Sequence, residues 1–320
     1  MAVTDRLAAD YRTIREACAW LDRSERGKLA LTGAGAKDFL NGQVTNEVEG
    51  LTSGQGVYAA FLTHKGKMLG DLRILDFDDE LFLDTERAAL QELFNLIRRF
   101  KVGFEVELHK RTVECGLVSL IGPRAREAAG SDVAEQEHAN ARSELDGVPV
   151  RLVVTDVGID VICDGPRTPA VIASLEARGA VAIEEAAAEC LRVERGRPRY
   201  GVDIDDSTIP QEAGLNERAV SFTKGCYVGQ ETVARLHWRG KPNRHLRGLR
   251  LSEPVLAGEG LSLGDRAVGT VGSAVVSPAL GPIALALVRR EAQPGDTVAV
   301  GERGASAEVV ELPFPSAAAD

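Results

Sequence analysis

The stretch Lys224-Gly225-Cys226-Tyr227-Val228-Gly229-Gln230-Glu231 decides the reading of this sequence. Two glycines flank a Cys-Tyr pair. Glycine tolerates positive φ and close backbone approach, so the octapeptide reads as a tight loop that presents a thiol. Lys224 stands two residues before Cys226, and Arg235 follows on a predicted helix. Nearby positive charge favours thiolate over thiol and raises reactivity at neutral pH. Gln230 and Glu231 can cap that helix or meet the amide edge of a ligand. The residues alone leave two readings open: an activated, exposed thiol, or a structural cysteine buried in a Gly-rich turn.

Around the octapeptide the charge changes sign. From Phe222 to Arg250 the cations are Lys224, Arg235, Arg239, Lys241, Arg244, Arg247 and Arg250, against one acid, Glu231, in a chain of net charge −10. Such a segment is either a solvated basic face or an anion site for carboxylates or phosphates. A globally acidic protein is a poor wrapper of nucleic acid. No aromatic-interleaved RNA motif lies in 224–250, so a tRNA contact through this segment has no motif behind it.

Downstream of about residue 246 the texture is short apolar runs between Gly and Pro turns: Leu246–Leu251, Arg266–Val276, Ile283–Leu287, Thr297–Val300 and Ala305–Leu312. This predicts a small antiparallel barrel or sandwich. A boundary near Lys241–His245 divides the chain into 1–245 and 246–320, and the tail Pro313–Asp320 is expected to fray.

Upstream, Leu7, Tyr11 and Ile14 recur at helical spacing. Lys28–Thr32 reads as a strand, followed by Gly33-Ala34-Gly35 and a short helix through Phe39 and Leu40. This invites a dinucleotide fingerprint, but its third glycine would fall at Asp38, an acid where a pyrophosphate would sit. Val57–Thr63 and Met68–Phe77 predict strands joined by His64-Lys65-Gly66-Lys67, with Leu81–Leu83 as a third. Residues 85–99 predict an amphipathic helix through Leu90, Leu93, Phe94 and Ile97. Val102–Leu108, Val113–Ile121, Pro149–Thr155 and Asp160–Cys163 are strand-like. Pro123 opens a helix, and 168–178 and 184–194 are helical. Sheets and helices without strict alternation give an α+β class.

Composition sets the outer limits. Apolar residues make up 44 % and charged residues 27 % of 320 residues, ordinary globular values. The apolar runs fall short of the roughly 20 residues a membrane span needs. No signal-peptide core follows Met1, so a soluble cytoplasmic protein is expected, or an organellar one whose targeting segment is absent here. The five cysteines (18, 115, 163, 190, 226) are odd in number and contain no Cys-x-x-Cys, and the five histidines lack ligand spacing. Neither a disulfide framework nor a dedicated metal site is expected.

The octapeptide resembles the Lys-Gly-Cys-Tyr/Phe-x-Gly-Gln-Glu signature of the YgfZ family of folate-binding proteins, relatives of the glycine-cleavage T-protein. Further blocks support the resemblance along the chain. They are Phe39-Leu40 with Gln43 and Thr45-Asn46, then Gly54-Gln55-Gly56 with Tyr58, and Lys65-Gly66-Lys67-Met68-Leu69 with Asp71. Leu191–Glu194, Gly196, Pro198, Tyr200-Gly201 and Ile209-Pro210-Gln211 complete the set.

The resemblance implies a fold of three α+β pieces in a ring around a central folate channel, with a small C-terminal β-barrel beside it. It implies tetrahydrofolate or a derivative as cofactor. It also implies a role in iron–sulfur cluster assembly or maintenance, with transient client or assembly proteins as partners, and in tRNA modification that depends on such an enzyme. Asp71 matches the catalytic acid of T-proteins, Tyr58 an aromatic of the folate channel, and Glu194 and Tyr200 positions near the pterin. A pterin needs a carboxylate or amide for its N–H edge, an apolar slot for its plane and a cation for the glutamate tail. Arg239 and Gln230 are candidates for the tail and the amide edge, and Cys226 with Lys224 for thiol chemistry. One departure stands out: T-proteins carry no cysteine in the corresponding loop, which argues against plain aminomethyl transfer from a lipoyl carrier. A lone thiolate cannot hold a cluster, which normally needs four ligands. Three functions follow: an iron–sulfur assembly factor using Cys226, a folate-dependent one-carbon transferase or demethylase using Asp71, and a non-catalytic folate sensor or scaffold.

Overall fold

In chain order the helices are α1 (Asp5–Glu16), α2 (Ala36–Gln43), α3 (Leu90–Phe100), α4 (Ala125–Ala129), α5 (Thr168–Ala177), α6 (Glu185–Glu194), α7 (Asn216–Ala219) and α8 (Gln230–Arg239). The strands are β1 (Ala19–Asp22), β2 (Gly27–Thr32), β3 (Gly56–Leu62), β4 (Met68–Asp76), β5 (Leu81–Thr85), β6 (Glu107–Lys110), β7 (Cys115–Ile121), β8 (Asn140–Leu145), β9 (Val148–Thr155), β10 (Gly158–Asp164), β11 (Val181–Ala182), β12 (Arg244–Leu251), β13 (Gly260–Leu263), β14 (Arg266–Ser277), β15 (Gly281–Arg289), β16 (Thr297–Val300) and β17 (Ala305–Val310). These assignments come from a computed structural model that describes residues 4–315. The chain divides into two units, one of residues 12–184 with 216–230, the other of residues 4–11, 185–215 and 231–315.

The first unit holds two sheets. One runs β3-β4-β5-β2-β6, and the other β11-β1-β7-β10-β9-β8. Pairing is antiparallel throughout except between β1 and β11. Leu75, Phe77 and Phe82 from the first sheet meet Leu117, Val153 and Ile162 from the second in one apolar cluster. Phe77 and Phe82 stack at 5.0 Å. Within this apolar contact Arg73 on β4 pairs with Asp84 on β5 and Asp160 on β10, at 2.7 and 2.6 Å. Burial alone would push the Asp84 carboxyl up, but the guanidiniums of Arg26 and Arg73 outweigh it and hold it at about 2. A paired buried charge fixes which strand faces which, because removing one partner leaves the other uncompensated.

The second unit closes β12-β15-β14-β13-β16-β17 into a six-stranded antiparallel barrel, with β17 returning to β12. Small residues such as Ala284, Ala286 and Ala307 fill its interior beside Leu249, Val268 and Val298, as a narrow barrel requires. Strand β15 is apolar on both faces for a physical reason. Ala284 and Ala286 point into the barrel, while Ile283 and Leu285 pack outside it against Val193 of α6 and Phe314.

Several expectations from the sequence need correction. The predicted helix over 85–99 starts late: Thr85 ends β5, a 3-10 turn covers Arg87–Ala89, and α3 begins at Leu90. Residues 102–106 form turns, and only Glu107–Lys110 pair as a strand. Strands β1, β8, β11 and β13 had no prediction; each is short or polar enough to give no period-2 signal. The expected frayed tail fails at its start, because Phe314 is buried and its N–H donates to the Glu194 carbonyl. Residues 316–320 lie outside the described residues. No described helix is long and apolar enough to cross a membrane.

Candidate functional site

Strands β3 and β4 build the centre of the site in the first unit. Their register sets Ala60 opposite Asp71 and Tyr58 opposite Arg73. Tyr58 is therefore the diagonal neighbour of Asp71 on one face of the sheet, a separation that an aromatic side chain spans. The Tyr58 hydroxyl donates to Asp71 Oδ2 at 2.5 Å. Burial pushes the Asp71 carboxyl up to about 6 against the Tyr58 hydrogen bond, which lowers it; Glu86 raises it further and Arg26 lowers it. Burial, then the Asp71 charge, holds the Tyr58 hydroxyl well above its usual value, so Tyr58 stays a donor. Preceding Asp71, Gly70 admits no side chain: a Cβ there would lie 2.6 Å from both Ala89 and Phe61.

A third group stands behind the pair. The Arg218 guanidinium lies over the Tyr58 ring, 5.3 Å from its centroid, and is anchored by Glu137. One side-chain amide, Asn46 Nδ2, donates to the backbone carbonyls of both Tyr58 and Arg218, at 2.9 and 3.3 Å. Thr45 adds a hydroxyl bond of 2.6 Å to the Ala219 carbonyl.

The octapeptide attaches to α2. The Lys224 ammonium donates to the carbonyls of Asn41, Val44 and Asn46 at 2.7, 3.0 and 2.6 Å. These are carbonyls at and just past the C-terminal end of α2, where no intrahelical donor is left. Burial lowers the Lys224 ammonium to about 8, although Glu47 and Glu49 favour its charge. Cys226 is exposed, whereas Tyr227 beside it is buried. Only one of the two glycines is sterically required. Gly229 has φ +84° and a Cβ there would lie 2.6 Å from the Thr63 carbonyl oxygen, while Gly225 faces open space. Gln230 opens α8, half-buried, its N–H on the Tyr227 carbonyl. The other thiols are poor nucleophiles: burial pushes Cys18 and Cys115 up to about 11 and Cys190 up to about 12, and raises Cys163.

The remaining predicted residues belong to the second unit. Glu194, at the end of α6, accepts from the Tyr11 hydroxyl at 2.9 Å and from the Ser277 hydroxyl. Arg192 does not pair with it but with Glu189 and Asp203. Tyr200 is half-buried and forms a bridge with Ile204. Arg239 is exposed at the last position of α8. Among the described residues no group of three or more His, Cys, Asp or Glu side chains is arranged to hold a metal ion. Sequence reasoning missed Arg218 and Glu137. No local pattern marks them, since they lie 81 residues apart and meet only through the fold. Asn46 stood in a quoted block, but its double bond needed the register to be seen.

Comparison with known proteins matches residues 1–224 to the GCVT N-terminal domain and residues 244–315 to the glycine cleavage T-protein C-terminal barrel domain. An aminomethyltransferase of Rubrobacter xylanophilus is 30 % identical over 321 residues, covering 96 % of this chain and 86 % of the relative. A putative chloroplastic transferase of Arabidopsis thaliana is 27 % identical over 307 residues, covering 92 % and 70 %. The crystal structure of the glycine cleavage system aminomethyltransferase T from Bartonella henselae superposes with a TM-score of 0.86 at 23 % identity, over 97 % of this chain and 89 % of that one. At that identity the superposition speaks for the fold.

Proposed function

Because this chain belongs to the glycine cleavage T-protein family, we propose that it is a tetrahydrofolate-dependent one-carbon transferase with Asp71 as its acid–base group. The observation that carries this reading is the buried Asp71 carboxyl, brought to about 6 while it accepts the Tyr58 hydroxyl at 2.5 Å. A group with that value is mostly carboxylate at pH 7 yet protonates readily, which suits a general base that must later return its proton. The two relatives named as an aminomethyltransferase and a putative transferase point the same way.

The donor and acceptor set fits tetrahydrofolate. Glu194 spends one hydrogen bond on Tyr11 and one on Ser277. A carboxylate has about four lone-pair sites, so acceptors remain for a pterin N–H edge. Within the first unit, Tyr58 and Asp71 would meet the pterin and Gln230 an amide edge. When bound, tetrahydrofolate supplies the nitrogens that accept the one-carbon unit. Asp71 takes or returns the proton at the reacting nitrogen, and Tyr58 steadies the carboxylate through its hydroxyl.

Two measurements test this. Calorimetric titration with 5-formyl-tetrahydrofolate is expected to show micromolar binding that Glu194→Ala weakens. Transfer from a panel of methylamine-type donors to tetrahydrofolate is expected to fall by about 10²-fold or more in Asp71→Asn. Absence of binding to the wild type, or undiminished transfer by Asp71→Asn, sinks the reading.

A second reading has one observation of its own. Cys226 is exposed in the loop whose sequence resembles the YgfZ signature. This supports a folate-binding protein that serves iron–sulfur cluster assembly or maintenance through its thiol. Any cluster it touches must take its other ligands from elsewhere. In a deletion strain, rescue of iron–sulfur enzyme activity by wild type but not by Cys226→Ala supports this reading; full rescue by Cys226→Ala removes it.

A further inference from the structure

We infer that Arg218, anchored by Glu137, is a positioning residue that holds the Tyr58 ring so that its hydroxyl stays on Asp71. This deepens the reading of Asp71 as the acid–base group and rests on it. Three observations on different elements converge. Arg218 lies on α7, with its guanidinium over the Tyr58 ring at 5.3 Å from the centroid. Glu137, on the segment ahead of β8, binds that guanidinium from 81 residues away in sequence. The Asn46 amide ties the Tyr58 and Arg218 backbones together, so ring and cation keep a fixed separation.

The physical consequence is directional. A cation over the ring is attracted to the aromatic face and makes the phenolic proton easier to share. The Arg218 charge does oppose the rise in the Tyr58 hydroxyl that burial causes. A more acidic phenol gives a stronger bond to a carboxylate, and that bond favours the ionised form of Asp71. The groups facing Asp71 are few. Tyr58 donates from β3, Glu86 follows β5, and Arg26 precedes β2. The Thr85 hydroxyl takes the Asp71 backbone carbonyl at 2.5 Å. Arg26 is committed to Asp84 and Glu86, so its charge is shared with two acids. Arg218 is thus the cation that acts on Asp71 through the ring.

A merely structural Arg218 would tie 216–219 to Glu137 and leave Asp71 alone. The γ-carboxyl ¹³C titration of Asp71 in ligand-free protein, assigned by its loss in Asp71→Asn, separates the two roles. In Arg218→Met the Asp71 midpoint is expected to rise, with proton affinity about tenfold higher. Arg218→Lys, which keeps the charge, is expected to stay within about threefold of wild type. Glu137→Ala, which frees the guanidinium, is expected to move the midpoint in the same direction as Arg218→Met. An unchanged midpoint in Arg218→Met with a native amide spectrum overturns the inference, as does an Arg218→Lys shift as large as that of Arg218→Met. Calorimetry with 5-formyl-tetrahydrofolate on the wild type runs in parallel. No folate binding with the Asp71 shift intact removes the folate reading alone. Folate binding with no Asp71 shift removes this inference alone.

Discussion

Replacing Lys224 with methionine tests whether the lysine of the octapeptide acts on Cys226 or on the backbone. Its ammonium is buried and serves three carbonyls, those of Asn41, Val44 and Asn46 at 2.7, 3.0 and 2.6 Å. Methionine keeps the length of the stem and supplies no donor. A buried group left unpaired costs about 1–3 kcal/mol. Val44 is fully buried, so its carbonyl bears about 2 kcal/mol, while water can reach those of the half-buried Asn41 and Asn46 at about 1 kcal/mol each. Methionine recovers about 1 kcal/mol by removing a buried charge, which leaves a net loss of about 3 kcal/mol. Urea unfolding followed by Trp20 fluorescence, in a Trp238→Phe background, reads the unit that contains Lys224. The midpoint is expected to fall by about 1 M or more.

The pH dependence has a definite sign. Because the folded ammonium sits at about 8, below the ordinary lysine value of about 10.4, the unfolded chain binds more protons between those two values. Unfolding free energy therefore rises with pH across that window, and the rise is expected to vanish in Lys224→Met. A loss of less than about 1 kcal/mol, together with much slower labelling of Cys226, would refute the clamp and return Lys224 to the thiol.

Four further outcomes are expected. Asp71→Asn should stabilise the protein at pH 8: the folded carboxyl titrates at about 6, above its unfolded value, so stability falls as pH rises from about 4 to 6, and the amide removes a cost of about 3 kcal/mol; thermal melts at pH 4 and pH 8 check this. Gly229→Ala should destabilise by about 2 kcal/mol or more, because φ is +84° and the added Cβ meets the Thr63 carbonyl oxygen; denaturant unfolding reads it, and a neutral result refutes the tight turn. An aromatic disulfide reagent should label one thiol quickly in native protein, lost in Cys226→Ser, with Cys18, Cys163 and Cys190 reacting only after unfolding. Arg73→Met should cost about 3–5 kcal/mol by stranding Asp84 and Asp160, and urea unfolding should show it.

What the sequence disclosed divides along a physical line. Five of the six barrel strands were readable because each is a short apolar run with its own Gly or Pro stop, β13 being the exception. Strand β8 was not, because Asn140–Leu145 is polar on the face it shows to solvent and takes its order from β9. The octapeptide located the loop, but the sequence did not say which of its two glycines the turn requires, and only Gly229 is required. Lys224 read as a neighbour of the thiol, while its three donors turn to α2. Asp71 was found through resemblance, since nothing in Met68–Asp76 distinguishes it from Asp76, another buried acid on the same strand. The difference between those two acids lies in what faces them. Asp76 meets Lys37 at 2.7 Å, whereas among the described residues Asp71 meets no such cation at that distance, and burial lifts it to about 6 against the opposing hydrogen bond from Tyr58. Both partners come from outside the strand, and for Asp71 the partner is itself held by Arg218 and Glu137. A residue's proton affinity is set by its neighbours in space, so the chemistry of this strand could be assigned only once the register of β3 on β4 was known.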